Sequence, residues 1–416
     1  MKTNYNPSLT PSHCEERRNL LERVGERIKI AFLTPEYPHP KTGSSGGIGT
    51  SIKNLAIGLL AEGCSVRVLV YGQKEEGVFD DNGITIQQIK NVKFKGLSWW
   101  LTRNKLECIV NQLYANMQIE LVEAPDWTGI TSFIQPKKCP IVIRLNGSDT
   151  YFCHLDHRPV KWMNRFHERR ALQKADGLLS VSKFTADLTN EVFGLQKEFA
   201  IIPNSIDTSH FIDNSSSPLL RRGVGGEDTI LYFGSLIRKK GLLELPFIFN
   251  EVIKSSPETQ LVLVGKDVPD VVSGNDSTWT MMQALFTTEA LRNVRYLGSV
   301  PYAAIKEQIH LSTVCVFPSF AEALPVSWIE AMALQKPIVA SNIGWAKEVI
   351  EEGVEGFLAH PQDHKQYAEK ILELLKSPKL QESFGVAASK KVILKFSTET
   401  VAKQSILFYE KCIASR

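Results

Sequence analysis

Two carboxylates, Glu322 and Glu330, stand in the stretch TVCVFPSFAEALPVSWIEAMALQKPIVAS of the second half of the chain. The apolar run Val314–Phe317 is typical of a buried strand, and Pro325 suits the first position of a helix after the loop. Free N–H groups and the dipole at such a helix start attract an anion such as a diphosphate. Glu322 could then meet sugar hydroxyls and Glu330 a ribose, unless both are solvated surface carboxylates.

A basic loop provides the second signal. The stretch FGSLIRKKGLLEL follows the apolar run TILYF and carries Arg238, Lys239 and Lys240. Gly234 permits a close backbone approach at the strand end, and Gly241 ends the loop. A leaving nucleoside diphosphate gains negative charge as its glycosidic bond breaks, so a fixed cation stabilises the transition state more than the ground state. The alternative is a solvated basic turn.

A glycine-rich loop, TPEYPHPKTGSSGGIGTSIKNLA, follows the first apolar run and opens a helix. It lacks a dinucleotide fingerprint, because the loop is long and Ile52 stands where a third glycine would follow Gly47 and Gly49. The second strand also lacks an acidic residue at its end. We interpret the segment as a loop that closes over a ligand held mainly by the other domain, or as a merely flexible loop.

Weaker candidates follow two strands of the first half, in EAPDWTG and RLNGSDTYF. Their polar groups suit the binding of an acceptor, although Asp149 could cap a helix instead. The HLDH segment is typical of plain surface, and the sequence has no zinc spacing, H-E-x-x-H, P-loop or D-x-D motif, so we expect no essential metal. The acceptor candidates are Asp126, Trp127, Asn146 and Asp149.

Strand and helix patterns alternate in both halves of the chain. The helical spacing over 50–62 ends at Gly63, and another helix is predicted over Trp162–Ala175. Such alternation predicts parallel sheets covered on both faces, with ligands at the carboxyl ends of the strands. The predicted strands are IKIAFL, VRVLVYG, ITIQQI, IELVEA, IVIRLN, GLLSVS and FAIIPN, then TILYFGS, QLVLVG, VRYLGS, TVCVFPS, PIVAS and GFLAH.

The 416 residues predict two or more domains. We expect an α/β protein whose two Rossmann-like, doubly wound domains face each other across a cleft. The segment PNSIDTSHFIDNSSSPLLRRGVGGED, rich in Ser, Pro, Gly and Asp, marks the break between them. The predicted order is a tail (1–27), an N-terminal acceptor domain (28–205), a linker and surface insertion (206–228), a C-terminal donor domain (229–395) and a C-terminal helix (396–416).

The composition is that of an ordinary globular protein, with 43% hydrophobic and 22% charged residues. A net charge of +3 is too small to indicate nucleic acid. The seven cysteines are scattered and odd in number, so we expect a reducing cytoplasm rather than disulfides or zinc. The polar N-terminus does not resemble a secretory signal, and no run approaches about 18 apolar residues, so no membrane span is predicted.

One stretch, Lys90–Glu107, has two interpretations, and the first is peripheral contact with the inner membrane face. Basic residues interleaved with aromatic ones fit an anionic lipid surface. The other interpretation is that the two tryptophans pack inside the domain while the lysines are solvated. The residues concerned are Lys90, Lys93, Lys95, Arg103 and Lys105, with Phe94, Leu97, Trp99, Trp100 and Leu101.

Together these motifs resemble family 4 of the retaining glycosyltransferases, which have the GT-B fold. The most specific element is E-x7-E, here Glu322 to Glu330, followed by AMALQKPIVAS. Gly234 to Gly241 is similar to the family's G-[RS]-L-x-x-x-K-G loop, and IIPNSID resembles its P-N-G-[IV]-D with Ser205 in place of glycine. SVSKFTAD and EGVEGFLAHPQD are further likenesses, so the resemblance extends over nearly all of the chain after the tail.

The resemblance implies a role for each matched residue. Glu322 would contact the donor sugar, Lys240 the diphosphate and Glu330 the ribose, while the C-terminal helix would return to the first domain. It also implies retention of anomeric configuration and neither metal nor cofactor, leaving open an ion-pair-like or a covalent path. The other implied donor-binding residues are Gly46, Gly47, Gly234, Ser235, Lys239, Ala323, Leu324, Pro325 and Val326.

Two positions depart from the family pattern. Ser235 stands where many relatives carry arginine, so Arg238 or Lys239 would have to supply the second positive charge. Asn146 stands where many carry an active-site histidine, and an amide cannot shuttle a proton at neutral pH.

We therefore expect a retaining, metal-independent, hexosyltransferase-like enzyme of the cytoplasm. It would move a sugar from a nucleotide-diphosphate-sugar donor to a hydroxyl of a glycan, lipid-linked or small-molecule acceptor. Polysaccharide biosynthesis is the setting that analogy suggests. The alternatives are a nucleotide-sugar epimerase or phosphorylase and a catalytically inactive donor-binding protein of the same fold.

Overall fold

The computed structural model describes residues 27–43, 45–208 and 228–416, except the side chains of residues 302 and 303. The predicted tail, apart from its last residue, and most of the predicted linker and insertion lie outside the described residues. The remainder contains two sheets flanked by helices. This confirms the predicted α/β class with two Rossmann-like domains.

The N-terminal sheet has eight strands. Their bounds are β1 Lys29–Thr34, β2 Ser65–Gln73, β3 Gly77–Asp81, β4 Ile84–Lys90, β5 Leu121–Pro125, β6 Ile141–Leu145, β7 Gly177–Ser180 and β8 Ala200–Ile201. They lie in the order β3-β4-β2-β1-β5-β6-β7-β8. All neighbours are parallel except β3 and β4, an antiparallel edge pair that the sequence pattern did not predict. Asn82 and Gly83 join that pair with positive φ at both positions, the geometry of a two-residue hairpin turn.

The C-terminal sheet has six strands, all parallel. Their bounds are β9 Thr229–Phe233, β10 Gln260–Val264, β11 Val294–Tyr296, β12 Val314–Phe317, β13 Ile338–Ser341 and β14 Gly356–Ala359. They lie in the order β11-β10-β9-β12-β13-β14. From β9 the sheet therefore grows in one direction through β10 and β11, and in the opposite direction from β12 onward. A ligand crevice forms at such a switch point, between the loops after β9 and β12.

Helices cover both faces of each sheet. In β1, Ile30 and Phe32 pack into one core, whereas Ala31 and Leu33 pack into another on the opposite face. The helices of the first domain are α1 Gly47–Ala61, α2 Ser98–Ala115, α3 Asp149–Leu155, α4 Trp162–Lys174 and α5 Lys183–Phe193. Those of the second are α6 Leu245–Ser255, α7 Thr278–Gln283, α8 Thr288–Arg292, α9 Tyr302–Leu311, α10 Val326–Ala333, α11 Ala346–Val349, α12 His364–Lys376 and α13 Pro378–Lys391.

The last helix, α14 Thr398–Ala414, packs on the first domain. Ile406 and Tyr409 share a core with β1, and a Cβ on Gly58 of α1 would lie 2.5 Å from the Thr398 carbonyl oxygen. The Tyr409 hydroxyl also donates to the buried carboxylate of Glu123 at 2.6 Å. The chain thus crosses between the domains a second time, which ties them together beside the cleft.

Candidate active site

A cleft of about 700 Å³ lies where the carboxyl ends of the two sheets face each other. This volume falls within the range of small-molecule sites, and both domains contribute to its wall. The predicted site residues that line it are Gly46, Gly47, Trp127, Asn146, Gly234, Ser235, Lys239, Lys240, Glu322, Ala323, Leu324, Pro325, Val326 and Glu330.

Lys240 and Glu322 form an ion pair in the C-terminal wall, with 3.2 Å between Nζ and Oε1. Lys240 ends the 3-10 turn Arg238–Lys240 after β9, and Glu322 lies in the loop after β12. The N–H of Phe320 donates to the carbonyl of Lys239 at 2.8 Å, which ties the two loops together. The wall therefore presents a cation and a carboxylate side by side, one for an anion and one for hydroxyl groups.

Glycines let these loops approach each other. Gly241 has φ +71°, and a Cβ there would lie 1.8 Å from the Pro318 carbonyl oxygen. Gly265, directly after β10, would bring a Cβ within 1.9 Å of the Gly234 carbonyl oxygen. A larger residue at Gly241 would separate the loops that hold Lys240 and Glu322, and one at Gly265 would push the loop after β10 away from the loop after β9. Gly265 lines the cleft but was not among the predicted site residues, although its place at the end of QLVLVG was a usable signal.

The three predicted basic residues, Arg238, Lys239 and Lys240, do not all face the cleft. Arg238 is not among the residues that line the cleft in the described part of the chain; its guanidinium binds the buried carboxylate of Asp270 through two contacts of 2.8 and 2.7 Å. These hydrogen bonds hold the pKa of Asp270 well below its usual range. Lys239 lines the cleft, with Nζ 3.6 Å from the ring centroid of Phe152 in the other domain, and burial lowers its pKa. The cations at the cleft from this turn are thus Lys239 and Lys240.

The helix after the second loop is α10, and Pro325 is its N-cap rather than its first helical residue. Ala323 and Leu324 precede it and are each 5% exposed. Glu330 lies on this helix, is 6% exposed and lines the cleft. The helix start and a carboxylate on the same helix therefore meet in the same wall.

The glycine-rich loop forms the opposite rim. Gly46 and Gly47 line the cleft, together with Glu36, which was not among the predicted site residues. Glu36 Oε1 accepts a hydrogen bond of 3.0 Å from the N–H of Gly49 in the first turn of α1. Its place directly after β1 was the signal that could have identified it. This carboxylate fixes the loop against the start of the helix.

The four acceptor candidates are also divided. Trp127 and Asn146 line the cleft. Asp126 is 2% exposed and lies behind them, where its Oδ1 accepts from the N–H of Asn146 at 2.9 Å and its Oδ2 has no partner in the described part of the chain. Burial raises the pKa of Asp126 to about 7. Asp149 accepts instead from the amide of Asn164 at 2.8 Å, in the first turn of α3.

Glu168 organises this side of the cleft and was not predicted. It is fully buried on α4, and its carboxylate accepts from the N–H groups of Thr128, Asp149 and Thr150 at 2.9 to 3.1 Å. Burial raises its pKa, opposed by these hydrogen bonds. One carboxylate thus joins the loops after β5 and β6. Nothing in the sequence indicated this, because Glu168 sits among other charged residues of a helix.

An aromatic surface lies on the outside of the same domain. Trp99 and Trp100 on α2 are 40% and 45% exposed, so the interpretation that the two tryptophans of Lys90–Glu107 pack inside the domain is wrong for both. Trp162 on α4 is 73% exposed. Rings of Trp99 and Phe166 both contact Phe133, with centroids 5.6 and 6.3 Å apart. We call the exposed set the aromatic patch: Phe94, Leu97, Trp99, Trp100, Trp162 and Phe166.

Across 27–43, 45–208 and 228–416, no three His, Cys, Asp or Glu side chains are grouped so as to hold a metal ion. None of the helices in those ranges is both long and apolar enough to cross a bilayer.

Comparison with known proteins identifies the family. Residues 222–391 match the family described as glycosyl transferases group 1, and residues 45–210 match glycosyltransferase family 4. The chain is a family 4 glycosyltransferase. The N-terminal match ends and the C-terminal match begins within the predicted linker and insertion, 206–228, as the GT-B resemblance predicts.

Relatives of this glycosyltransferase extend along its whole length. It is 29% identical to alpha-maltose-1-phosphate synthase of Mycolicibacterium smegmatis, over 93% of this chain and 100% of the relative. It is 24% identical to an uncharacterized glycosyltransferase of Methanocaldococcus jannaschii, over 92% of this chain and 98% of the relative.

Solved structures share its fold. Sucrose-phosphate synthase from Thermosynechococcus elongatus superposes with a TM-score of 0.75 at 19% identity, covering 94% of this chain and 100% of that one. HepE from Anabaena, solved with UDP and glucose, gives 0.70 at 19% identity over 92% of this chain and 100% of HepE. These likenesses confirm the GT-B architecture.

Proposed function

We propose that this glycosyltransferase uses a nucleotide-diphosphate-sugar donor bound to the C-terminal wall of the cleft. The observation that carries the proposal is the Lys240–Glu322 pair beside the start of α10. A diphosphate needs a cation and free N–H groups, and a sugar needs a carboxylate acceptor. HepE, which shares the fold, was solved with UDP-glucose, and this supports a donor of that class.

In the proposed reaction the bond between the sugar's anomeric carbon and the diphosphate oxygen breaks, and its electron pair stays on that oxygen. Lys240 and the N–H groups at the start of α10 stabilise the charge that develops there, which makes a metal unnecessary. Glu322 holds the sugar hydroxyls so that the anomeric carbon stays aligned. Glu330, buried on the same helix, accepts hydrogen bonds from the ribose.

The acceptor hydroxyl enters from the N-terminal wall, where Trp127 and Asn146 line the cleft. Its oxygen bonds to the anomeric carbon and its proton passes to the departing diphosphate oxygen. An amide at Asn146 can orient this hydroxyl but cannot take its proton. We therefore favour attack from the face that the leaving group vacates, which retains the anomeric configuration. The acceptor is a glycan, a lipid-linked sugar or a small molecule.

Thermal stabilisation by UDP, GDP, ADP and their sugar conjugates, without metal, tests the donor class. A ligand that binds the folded state stabilises it by about 2.7 kcal/mol at a hundredfold excess over Kd. We expect one nucleotide family to raise the melting temperature, and Glu330→Ala to lose that shift. If none of the three families stabilises the protein, the donor proposal is wrong.

Transfer assays with the stabilising sugar conjugate separate the remaining functions. Product that forms only when an acceptor is added supports transfer. Turnover of the donor without acceptor would instead indicate an epimerase, and tight binding without transfer or hydrolysis would indicate an inactive donor-binding protein.

We also propose that the aromatic patch rests on the inner face of the cytoplasmic membrane. Lys93, Lys95 and Arg169 are exposed beside it, and basic residues next to half-exposed aromatic rings fit an anionic lipid surface. This location would bring the N-terminal wall of the cleft close to a lipid-linked acceptor.

Sedimentation with phosphatidylcholine vesicles, with and without phosphatidylglycerol, tests this contact. We expect binding only to the anionic vesicles, weakening with salt, and about tenfold weaker for Trp99→Ala/Trp162→Ala. Leu407→Ala, an exposed apolar residue of α14, is the matched control and should bind like wild type. Equal binding of the double variant and wild type would rule the patch out.

A further inference from the structure

The N-terminal domain reaches across the cleft and holds the loop that follows β12. Its side chains donate to three consecutive main-chain carbonyl groups of that loop. The Tyr151 hydroxyl donates to Glu322 at 2.8 Å, Ser182 and Thr185 reach Ala323 at 3.0 and 3.1 Å, and the Asn204 amide donates to Leu324 at 3.0 Å.

These donors are buried, so their bonds are shielded from water. Tyr151 and Thr185 are fully buried and Ser182 is 1% exposed. Each hydroxyl has one proton to donate. In one arrangement Ser182 donates to the carbonyl of Ala323. In the other, Ser182 donates to the hydroxyl of Thr185, 2.8 Å away, and Thr185 donates to the carbonyl of Ala323. The carbonyl of Ala323 is therefore paired in both arrangements.

The third contact is linked to the glycine-rich loop. Asn204 lies in PNSID, at the end of the first domain, and its Oδ1 accepts from the hydroxyl of Ser51 on α1 at 2.7 Å. A continuous set of hydrogen bonds thus connects the helix that follows the glycine-rich loop with the carbonyl of Leu324.

These bonds fix the orientation of the peptide planes. In a trans peptide the C=O and N–H groups point in opposite directions. Because the carbonyls of Glu322 and Ala323 point at the N-terminal domain, the N–H groups of Ala323 and Leu324 point away from it. No described residue accepts a hydrogen bond from either N–H, and both residues line the cleft. N–H groups of cleft-lining residues that have no protein acceptor are available to donate to oxygen atoms of a ligand.

We propose that Tyr151, Ser182 and Thr185 are positioning residues for the donor, and that the N-terminal domain therefore sets donor affinity without touching the donor. None of the three lines the cleft in the described structure. They act through the peptide planes of Glu322–Leu324, which present two N–H groups to the donor sugar or diphosphate. The inference rests on the proposed nucleotide-sugar donor.

The test uses isosteric removal of two hydroxyl groups, Tyr151→Phe and Thr185→Val, singly and together. Ser182 is left unchanged because it also caps α5 by accepting from the N–H of Thr185. The matched control is Thr189→Val, a buried threonine of the same helix whose hydroxyl has no partner in the described structure. Thr185→Ser should restore the bond.

The measurements are the Kd of the best-stabilising nucleotide sugar and the KM values of donor and acceptor. One hydrogen bond changes affinity about fivefold, so we expect Tyr151→Phe to raise the donor Kd and KM about fivefold. Thr185→Val should have a smaller effect, because Ser182 can still donate to the carbonyl of Ala323, and the double variant should exceed either single variant. The acceptor KM should stay within about twofold, whereas a general loss of folding would reduce kcat and affect both substrates.

Two outcomes overturn the inference separately. If the wild type binds none of UDP, GDP, ADP or their sugars, the proposed donor fails and this inference fails with it. If the wild type binds but the double variant binds equally well, only the positioning role fails.

Discussion

The two walls of the cleft differ in how directly their sequences reveal them. In the C-terminal wall the predicted residues Lys240, Glu322 and Glu330 converge around one helix start. In the N-terminal wall Asp126 lies behind the surface, and Asp149 is bound to Asn164 in the first turn of α3. The side chains that line the C-terminal wall can therefore be predicted from sequence more easily than those that line the N-terminal wall.

Backbone geometry explains this difference. The loops of the C-terminal wall follow the neighbouring strands β9 and β12, so a side chain a few residues after either strand reaches the switch point. The loops of the N-terminal wall turn sharply: Thr128 and Gly129 both have φ 55°, and Gly147 has φ 91°. Gly147 redirects the chain before Asp149, and the hydrogen bond from the N–H of Asn146 holds Asp126 behind the surface; sequence spacing encodes neither.

The largest effect should come from the ion pair. In the proposed reaction Lys240 stabilises the leaving diphosphate, so we expect Lys240→Ala to lower kcat by about 100-fold or more. Glu322→Gln should lower kcat by a similar factor. Arg238→Ala is the control from the same turn: transfer should stay within about threefold, while the melting temperature falls because the buried carboxylate of Asp270 loses its cation and keeps only the hydrogen bonds from Ser273.

Steady-state kinetics and thermal melting of these three variants decide the point. If Arg238→Ala lowers kcat as much as Lys240→Ala does, Arg238 also contributes to transfer, and the assignment of a purely structural role to Arg238 is wrong.

The next effect tests the ribose contact. Glu330→Ala should weaken nucleotide binding about tenfold, the loss expected for a charged hydrogen-bond acceptor, with little change in acceptor KM. Isothermal titration with the stabilising nucleotide measures it. Gln362→Ala, in the exposed turn before α12, should leave binding unchanged. An unaltered Kd for Glu330→Ala would remove this residue from the donor site.

Some parts of the fold and of the site could be predicted from the sequence, and others could not. Strand–helix alternation predicted both sheets, because buried parallel strands are short apolar runs and need no long-range information. The edge strand β3 was not predicted, because GVFDD pairs with a neighbour on one side only and alternates between partly buried and exposed residues. Glu168 and Tyr151 were not predicted for another reason. Their hydrogen-bond partners lie in other segments of the chain, and only the folded structure shows which N–H or carbonyl group each one binds.

A smaller effect distinguishes the two kinds of acceptor candidate. Asn146→Ala removes an amide that lines the cleft, and we expect the acceptor KM to rise about fivefold while donor KM stays constant. Asp149→Asn keeps the shape of a residue outside the lining and should leave both KM values within twofold. Equal effects of the two substitutions on acceptor KM would show that both contact the acceptor, and the comparison between the walls would weaken.

The last comparison concerns the pH dependence of stability. The pKa of Asp126 rises from 3.8 to about 7 on burial, so between these values the folded state keeps a proton that the unfolded state has lost. The stability contributed by protonated Asp126 is complete below about pH 4 and is lost as the pH rises through about 7, by at most about 1.4 kcal/mol per pH unit. Asp126→Asn carries no such proton and should escape this loss.

Denaturant unfolding of wild type and Asp126→Asn between pH 5 and 8 measures this difference. The free energy of unfolding of the variant, relative to wild type, should increase with pH and level off above about pH 7. Asp276→Asn, an exposed substitution, gives the background and should run parallel to wild type. A difference that stays constant with pH would mean that the Asp126 carboxyl behind Asn146 titrates alike in the folded and unfolded states, and that burial in this wall does not hold its proton.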